Sequence, residues 1–397
     1  MRSSFMHRVL SHRVGRIAGT SRTAMAVAGL LVGASAPLAA QGSLGSLGFG
    51  YPVGGLSTRA AGTAGAFGEF DALSPLNPGA LGGLPRLVLS AQTEPEYRKL
   101  SLNGVNESTT IQRVPLIAVL FPFRGGLALG LSASSFLDRS YSMITTGSAM
   151  IEGVSVPTND RLDIRGAIGD MRAAVGWQIN SRFKIGVGGH LITGENVAVR
   201  ERTFADTLTF GSVVDSSRVN YFGTALSVGG EVRLVKGLSA IGSYRTGNSL
   251  KSRIRDSVRT TAEVPDRIGA ALRYDGITGA TFALGIEQVK WSSMASLGSN
   301  LTTAQDANNV RAGVEVQGPQ FRGAPIFLRA GYARNELPFS VSAERVKETR
   351  YSTGFALPIA RDAATIDFSL QRANRALANS GAKESAWLLG FGVQIRP

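Results

Sequence analysis

Near its C-terminus the chain reads Ser385-Ala386-Trp387-Leu388-Leu389-Gly390-Phe391-Gly392-Val393-Gln394-Ile395-Arg396. Trp387, Leu389, Phe391, Val393 and Ile395 alternate with Leu388, Gly390, Gly392 and Gln394, so an extended backbone has one apolar face here and one small or polar face. The preceding segment repeats the pattern, with Ala364, Ile366, Phe368 and Leu370 alternating with Thr365, Asp367, Ser369 and Gln371. It recurs at Val310 to Gln317, Met171 to Ile179 and Leu226 to Leu234. A soluble sandwich also alternates, with its apolar face inward. These segments, however, commonly run to about ten residues or more, beyond the five or six usual in soluble sheets.

Followed outward, the same period predicts fourteen strands, at 86–100, 111–121, 126–136, 163–179, 183–200, 218–234, 238–246, 259–274, 280–291, 309–317, 326–334, 347–357, 363–376 and 385–396. Connections after odd strands come to about 8 to 26 residues, and those after even strands to about 3 to 8, such as Asn180-Ser181-Arg182 and Val235-Lys236-Gly237. Short turns at one rim and long loops at the other are the asymmetry of outer-membrane barrels. The expected fold is all-β: a transmembrane antiparallel β-barrel of about fourteen strands spanning 86–397, with its long loops external.

Composition agrees. The 397 residues include 49 Gly, 15 Pro and no Cys, and charged residues are 18%. Mean hydropathy is +0.07, too low for a bundle of apolar helices but natural for strands with one lipid-facing side. The missing cysteines exclude disulfides, thiolate metal sites and cysteine nucleophiles. The net charge of +14 comes from arginines scattered singly, which argues against a nucleic-acid-binding face. Residues 1–40 carry five arginines and no acid, then an apolar run from Ala24 to Val32 and Pro37-Leu38-Ala39-Ala40. That predicts a secretory signal peptide cleaved near Gln41, and hence export to the outer membrane.

Residues 41–85 lack the period-two pattern and are rich in Gly, Ala, Ser and Pro. Their detail is Gly55-Leu56-Ser57-Thr58-Arg59-Ala60, then Gly62, Gly65-Ala66, Asp71 and Asn77-Pro78-Gly79-Ala80-Leu81. This resembles the hatch of the FadL/TodX-type outer-membrane transporters of hydrophobic compounds, PorV-like members included. Val264 to Tyr274, followed by Leu284 to Trp291, is similar to that family's mid-barrel hairpin, and Leu328 to Tyr332, followed by Pro338, to a later strand and loop. Gly390 to Ile395 resembles the signal read by barrel assembly machinery, although the chain ends Ile395-Arg396-Pro397 instead of in an aromatic residue. The resemblance implies an N-terminal plug at 41–85, with Arg59, Gly62, Gly65, Asp71, Asn77 and Pro78 as its seating and gating residues. Two departures stand out: the turn is Asn-Pro-Gly-Ala instead of Asn-Pro-Ala, and no wall-opening kink is recognisable in the third strand.

By strand parity Arg172, His190, Arg273, Arg311 and Arg329 face the lumen, as do Glu231, Arg233, Glu287, Glu315 and Asp367. Mutual neutralisation of a wet interior explains most of them, and a guanidinium there also matches the carboxylate of a fatty acid. After loss of residues 1–40 the one histidine left is His190; outer-membrane lipases place theirs on the lipid-facing wall, so no enzyme is expected. Asp160 and Asp163 fall in the longest predicted loop, where solvation outweighs calcium binding, and no cofactor or metal is expected. The leading functional expectation is passive transport of long-chain fatty acids or other hydrophobic compounds. The alternatives are a non-transporting barrel of the same kind, anchoring or shuttling secreted proteins, and, last, a lipolytic barrel. Expected partners are a hydrophobic solute, the barrel assembly machinery, outer-membrane lipids and lipopolysaccharide, the last through Lys251, Arg253 and Arg255 of an external loop.

Overall fold

A computed structural model describes Leu44 and residues 49–397, apart from 103–104, 152, 206–208, 256, 299–301, 322, 342–343, 360–362 and 378–380. The expected signal peptide and its cleavage point lie outside the described residues. Fourteen antiparallel strands form one closed sheet. They are β1 (Val88–Leu102), β2 (Val105–Arg113 and Leu116–Pro122), β3 (Leu127–Asp138 and Tyr141–Ile151), β4 (Val154–Gln178), β5 (Phe183–Phe204), β6 (Val213–Val235) and β7 (Leu238–Ile254). The second half comprises β8 (Ser257–Glu263 and Arg267–Ile277), β9 (Ala280–Val289), β10 (Ala307–Phe321), β11 (Ala324–Val341), β12 (Glu344–Ile359), β13 (Ala364–Ala376) and β14 (Lys383–Ile395). β14 closes on β1 from Lys383↔Ser101 to Ile395↔Leu89, which removes the free edges of an open sheet.

Side chains sort by parity as the sequence predicts. Ile185, Val187 and Leu191 are exposed on the outer wall while His190 is buried inside. On β13, Phe368 and Leu370 face out while Thr365, Asp367, Ser369 and Gln371 are buried. No described helix is long and apolar enough to cross a membrane; the strands provide the apolar outer band.

The external connections differ from expectation. Most predicted loops are continuations of the strands: β1 runs to Leu102 and β2 starts at Val105, β3 runs to Ile151 and β4 starts at Val154, β11 runs to Val341 and β12 starts at Glu344. Longer connections persist at 205–212 and 290–306, the second containing a 3-10 turn at Trp291–Leu297 and a short strand, Thr302–Ala304, paired with β11. Beyond the apolar band both faces of a strand are wet, so the alternation vanishes while backbone pairing continues. Lys251 and Arg253 accordingly lie on a paired hairpin, exposed, instead of in a loop. Arg233 is a second correction: it is exposed at the short-turn rim, one dyad beyond the buried Glu231.

The wall is interrupted between β2 and β3. β2 breaks at Val114-Pro115, where proline offers no N–H, and β3 breaks at Arg139-Ser140. Below these breaks the two strands pair from Leu116↔Ser134 to Pro122↔Ala128. Above them 105–113 pairs with β1 and 141–151 with β4, and no register pair joins β2 to β3 among the described residues. The third strand therefore carries a break; the polar run Asp138-Arg139-Ser140 reads in the sequence as the strand's end, and the resumption at Tyr141 is what the pattern does not show.

Candidate functional site

The N-terminal segment packs against the inner wall at two contrasting ends. At its C-terminal end, Asn77 starts a 3-10 turn over Pro78–Leu81, its Oδ1 accepting from the Gly79 N–H at 2.8 Å and its Nδ2 donating to the Glu69 carbonyl at 3.2 Å. This turn lies on a floor of glycines that share register across β4, β5 and β6: Gly176↔Gly186 and Gly186↔Gly229. A Cβ on Gly186 would fall on the Pro78 carbonyl, and one on Gly79 would sit 2.8 Å from the Gly229 carbonyl oxygen. The approach is backbone on backbone, which a Cβ would forbid.

The middle is held by side chains. Ser57 caps the short helix Thr58–Ala61, accepting from the Ala60 N–H. Arg59 forms a two-bond pair with Glu315 at 2.6 and 3.0 Å. Asp71 does not reach the wall: it accepts from Ser57 and from Ser74 (2.9 Å), fastening the segment to itself. The Gly62 carbonyl accepts from Ser352 at 3.0 Å, and Gly65, at φ +86, lies against Arg311. Glu69, which parity arguments did not reach, pairs with Arg267 and accepts from Ser243 at 2.9 Å.

At the other end, Tyr51–Pro52 forms a two-residue strand paired with Asp138 and Leu137 of β3, immediately below the β3 break. The Val53 N–H continues the ladder to the Phe136 carbonyl at 3.3 Å. The Tyr51 ring is caged by the guanidiniums of Arg98 and Arg113, each 5.4 Å from its centroid, and of Arg375 at 4.4 Å. Its hydroxyl donates to Glu348 at 3.0 Å and accepts from Arg350. Arg375 in turn binds Glu348 (2.7 Å), Glu96 (3.2 Å) and Glu384, so Tyr51 is the apolar centre of a buried ionic cluster on β1, β2, β12, β13 and β14. The sequence holds the signal for this cluster: Gln92, Glu94, Glu96 and Arg98 occupy one parity of β1. Nothing in composition marks Tyr51.

The remaining lumen residues named from sequence are all on the inner wall. Arg329 bridges Glu315 and Asp367, both at 2.6 Å, Arg311 binds Glu287 at 2.6 Å, and Arg273 binds Glu231 at 3.1 Å while covering the Phe70 ring at 4.7 Å. Arg172 is different, since its buried Nε and Nη2 have no partner. His190 is satisfied: Nδ1 lies 2.9 Å from Asp170 and Nε2 lies 2.9 Å from the Ser227 Oγ. The order Asp170–His190–Ser227 has the connectivity of a hydrolase triad. The imidazole, however, has 1% of its side chain exposed and faces inward, away from the wall where a lipid ester lies. Asp160, placed in a loop by the sequence reading, sits on the external extension of β4, where hydrogen bonds from Arg202 (2.6 and 2.7 Å) hold its carboxyl below the usual range. Asp163 pairs with Arg161 at 2.9 Å. Among the described residues no group of three potential ligands is placed to hold a metal.

Inside the wall break lies the largest apolar cluster of the lumen. Phe49 stacks on Trp291 at 5.7 Å and Phe136 stacks on Trp291 at 5.6 Å, with Leu137, Ile168, Ile192 and Met294 buried around them. Outside, the wall of β2 to β7 has a concavity of about 1040 Å³ lined by Ile117, Leu131, Met171, Leu191 and Leu226, with Ala133, Ala173 and Gly189 between them. A cavity of about 660 Å³ lies toward the short-turn rim against Arg59, Phe70, Leu73, Leu120 and Arg329. Between Tyr51–Leu56 and the wall the space narrows to about 110 Å³.

No protein-family model matches the sequence. No curated protein matches it. Solved structures do: the chain is similar to a FadL homologue of Pseudomonas aeruginosa, with TM-score 0.60 and 11% identity over 86% of this chain and 98% of that one. It is similar to the CymD monoaromatic hydrocarbon channel, with TM-score 0.55 and 14% identity over 87% and 98% of the two chains. The Pseudomonas putida toluene transporter TodX matches with TM-score 0.51 and 12% identity over 81% and 92%. With a closed fourteen-strand barrel and likeness over most of each chain, this protein has the FadL/TodX-type fold.

Proposed function

We propose that the protein is an exported outer-membrane channel for hydrophobic compounds, in which residues 41–85 plug the lumen and the Tyr51–Pro52 strand closes a side exit. The observation that carries this reading is the interrupted β2–β3 wall, with an apolar cluster on its inner side and an apolar concavity on β2 to β7 outside. A sideways route joins the apolar cluster inside to the apolar concavity outside and crosses one ion pair at the break, Arg113–Asp138 at 2.7 Å, whereas the axial route meets the linked pairs of Arg59, Glu315, Arg329 and Asp367. For that exit to open, Tyr51–Pro52 must leave β3. Arg172, with two buried donors unpaired, is the lumen cation best suited to a carboxylate, which favours fatty acids within the broader class.

The test is uptake of labelled fatty acids and alkylbenzenes into liposomes containing the purified protein. Transport predicts saturable uptake above protein-free liposomes. Deletion of Gly42 to Leu73 should leave a folded barrel that leaks small polar solutes and loses selective uptake. Absence of uptake by the intact protein rejects transport and favours the anchoring role, for which the paired extensions of β3 to β6 beyond the membrane offer a platform.

A further inference from the structure

The outer wall of β1 and β11 to β14 carries an arrangement the transport reading does not use. Tyr97, Trp387, Arg372, Tyr351 and Tyr332 occupy one register row across five adjacent strands: Tyr97↔Trp387, Trp387↔Arg372, Arg372↔Tyr351 and Tyr351↔Tyr332. All four aromatics are exposed, and the Arg372 guanidinium stands 4.9 Å from the Trp387 ring centroid. From Trp387 to Ile395 the outward residues of β14 are apolar, which makes the row the external border of the lipid-facing band.

Just beyond this border the outward positions turn basic. The next row holds Lys99, Ser385, Asn374, Thr349 and Arg334, and the row after it holds Ser101, Lys383, Ala376, Lys347 and Glu336, the one acid of the two rows. Lys99, Lys347, Lys383 and Arg334 are exposed and have no ionic partner among the described residues. The nearby acids are already committed: Glu384 and Glu348 point inward to Arg375, and Glu336 is taken by Arg345. Lys99 and Lys383 are diagonal neighbours on β1 and β14, and Arg334 and Lys347 on β11 and β12; the span across the five strands is about 19 Å at the usual strand spacing.

We infer that this face binds the phosphorylated disaccharide headgroup of lipopolysaccharide, with the acyl chains lying over Trp387, Phe391 and Phe368. Two cationic pairs separated by a strand suit a headgroup with two separated phosphates. A phospholipid's single phosphate engages only one of them. Ser385, Asn374 and Thr349 between the pairs offer hydrogen bonds to sugar hydroxyls, and Arg372 completes the lower edge. The inference rests on the outer-membrane topology of the proposed function and on no part of the transport path.

The test is binding of bisphosphorylated lipid A, dephosphorylated lipid A and phosphatidylglycerol to the full-length protein in detergent, read by native mass spectrometry. One variant carries Lys99→Gln, Arg334→Gln, Lys347→Gln and Lys383→Gln together; a control carries Arg233→Gln and Lys236→Gln at the opposite rim, where both residues are exposed. All substituted side chains are exposed, so heat-modifiable migration should persist. Bisphosphorylated lipid A should bind the wild type and the control alike and the fourfold variant more than about tenfold more weakly. Equal binding to the fourfold variant, or equal competition by phosphatidylglycerol, overturns the site. Hydrocarbon uptake measured in parallel should be unchanged by the four substitutions, so loss of the lipid site and failure of the transport reading give different results.

Discussion

The two ends of the N-terminal segment are held in different ways. At Asn77 to Leu81 the main chain rests on the main chain of Gly176, Gly186 and Gly229, an attachment with no side chain to rotate away. At Tyr51–Pro52 the attachment is two register pairs with β3 and one aromatic ring among arginines, beside a gap in the wall. In the proposed function the first acts as a seat and the second as a latch. The difference teaches that the two ends are held by different residue types: glycines in register let main chain meet main chain at one, and a single tyrosine caged by arginines holds the other; the proposed function assigns release to the second.

Four substitutions sharpen or break this comparison. The largest effect is expected from Gly186→Val, because its side chain would occupy the Pro78 carbonyl. Overpacking of this kind costs about 1–3 kcal/mol, and here the strain is relieved by unseating the turn. The barrel should still assemble, with conductance in planar bilayers rising several-fold; unchanged conductance means the glycine floor does not seat the plug. Tyr51→Ala comes next. It removes the ring from the arginine cage and the hydroxyl from Glu348 and Arg350, so hydrocarbon uptake should quicken and lose selectivity while ionic conductance changes less than in Gly186→Val.

Asn77→Ala removes the cap on the Gly79 N–H and the bond to Glu69, a loss of about 1 kcal/mol by analogy with helix caps, and should give a weak version of the seating defect. The smallest effect belongs to Asp160. Its folded pKa is depressed, so its contribution is present above the unfolded value and disappears as pH falls through the folded one, below about pH 4. Hydrogen exchange in 154–166 should rise over that range, and Asp160→Asn should abolish the dependence without altering uptake.

Much of the barrel was legible because lipid on one side and polar groups on the other impose a period of two, as from Trp387 to Ile395. The lumen positions of Arg172, His190, Arg273, Arg311 and Arg329 follow from the same parity. The rest was hidden for physical reasons. Strand extensions such as 141–151 and 154–164 are wet on both faces and look like loops. The resumption of β3 at Tyr141 depends on what the neighbouring strand pairs with, which no local pattern records. Asp71 could be predicted as a tether but not its partners, since Ser57 and Ser74 compete with the wall only once the segment is folded. Tyr51 owes its role to five strands that converge on it from distant parts of the chain.

The central claim, that Tyr51–Pro52 must leave β3 for solute to pass, is tested most directly by a disulfide. The chain has no cysteine, and Pro52 and Leu137 are register partners on adjacent strands, so Pro52→Cys with Leu137→Cys is within bridging reach. Labelled alkylbenzene uptake is then measured in liposomes with the pair oxidised and again after reduction. The account predicts that oxidation stops uptake and that reduction restores it, with barrel migration on gels unchanged. Full uptake through protein shown by mass to be completely cross-linked would contradict it.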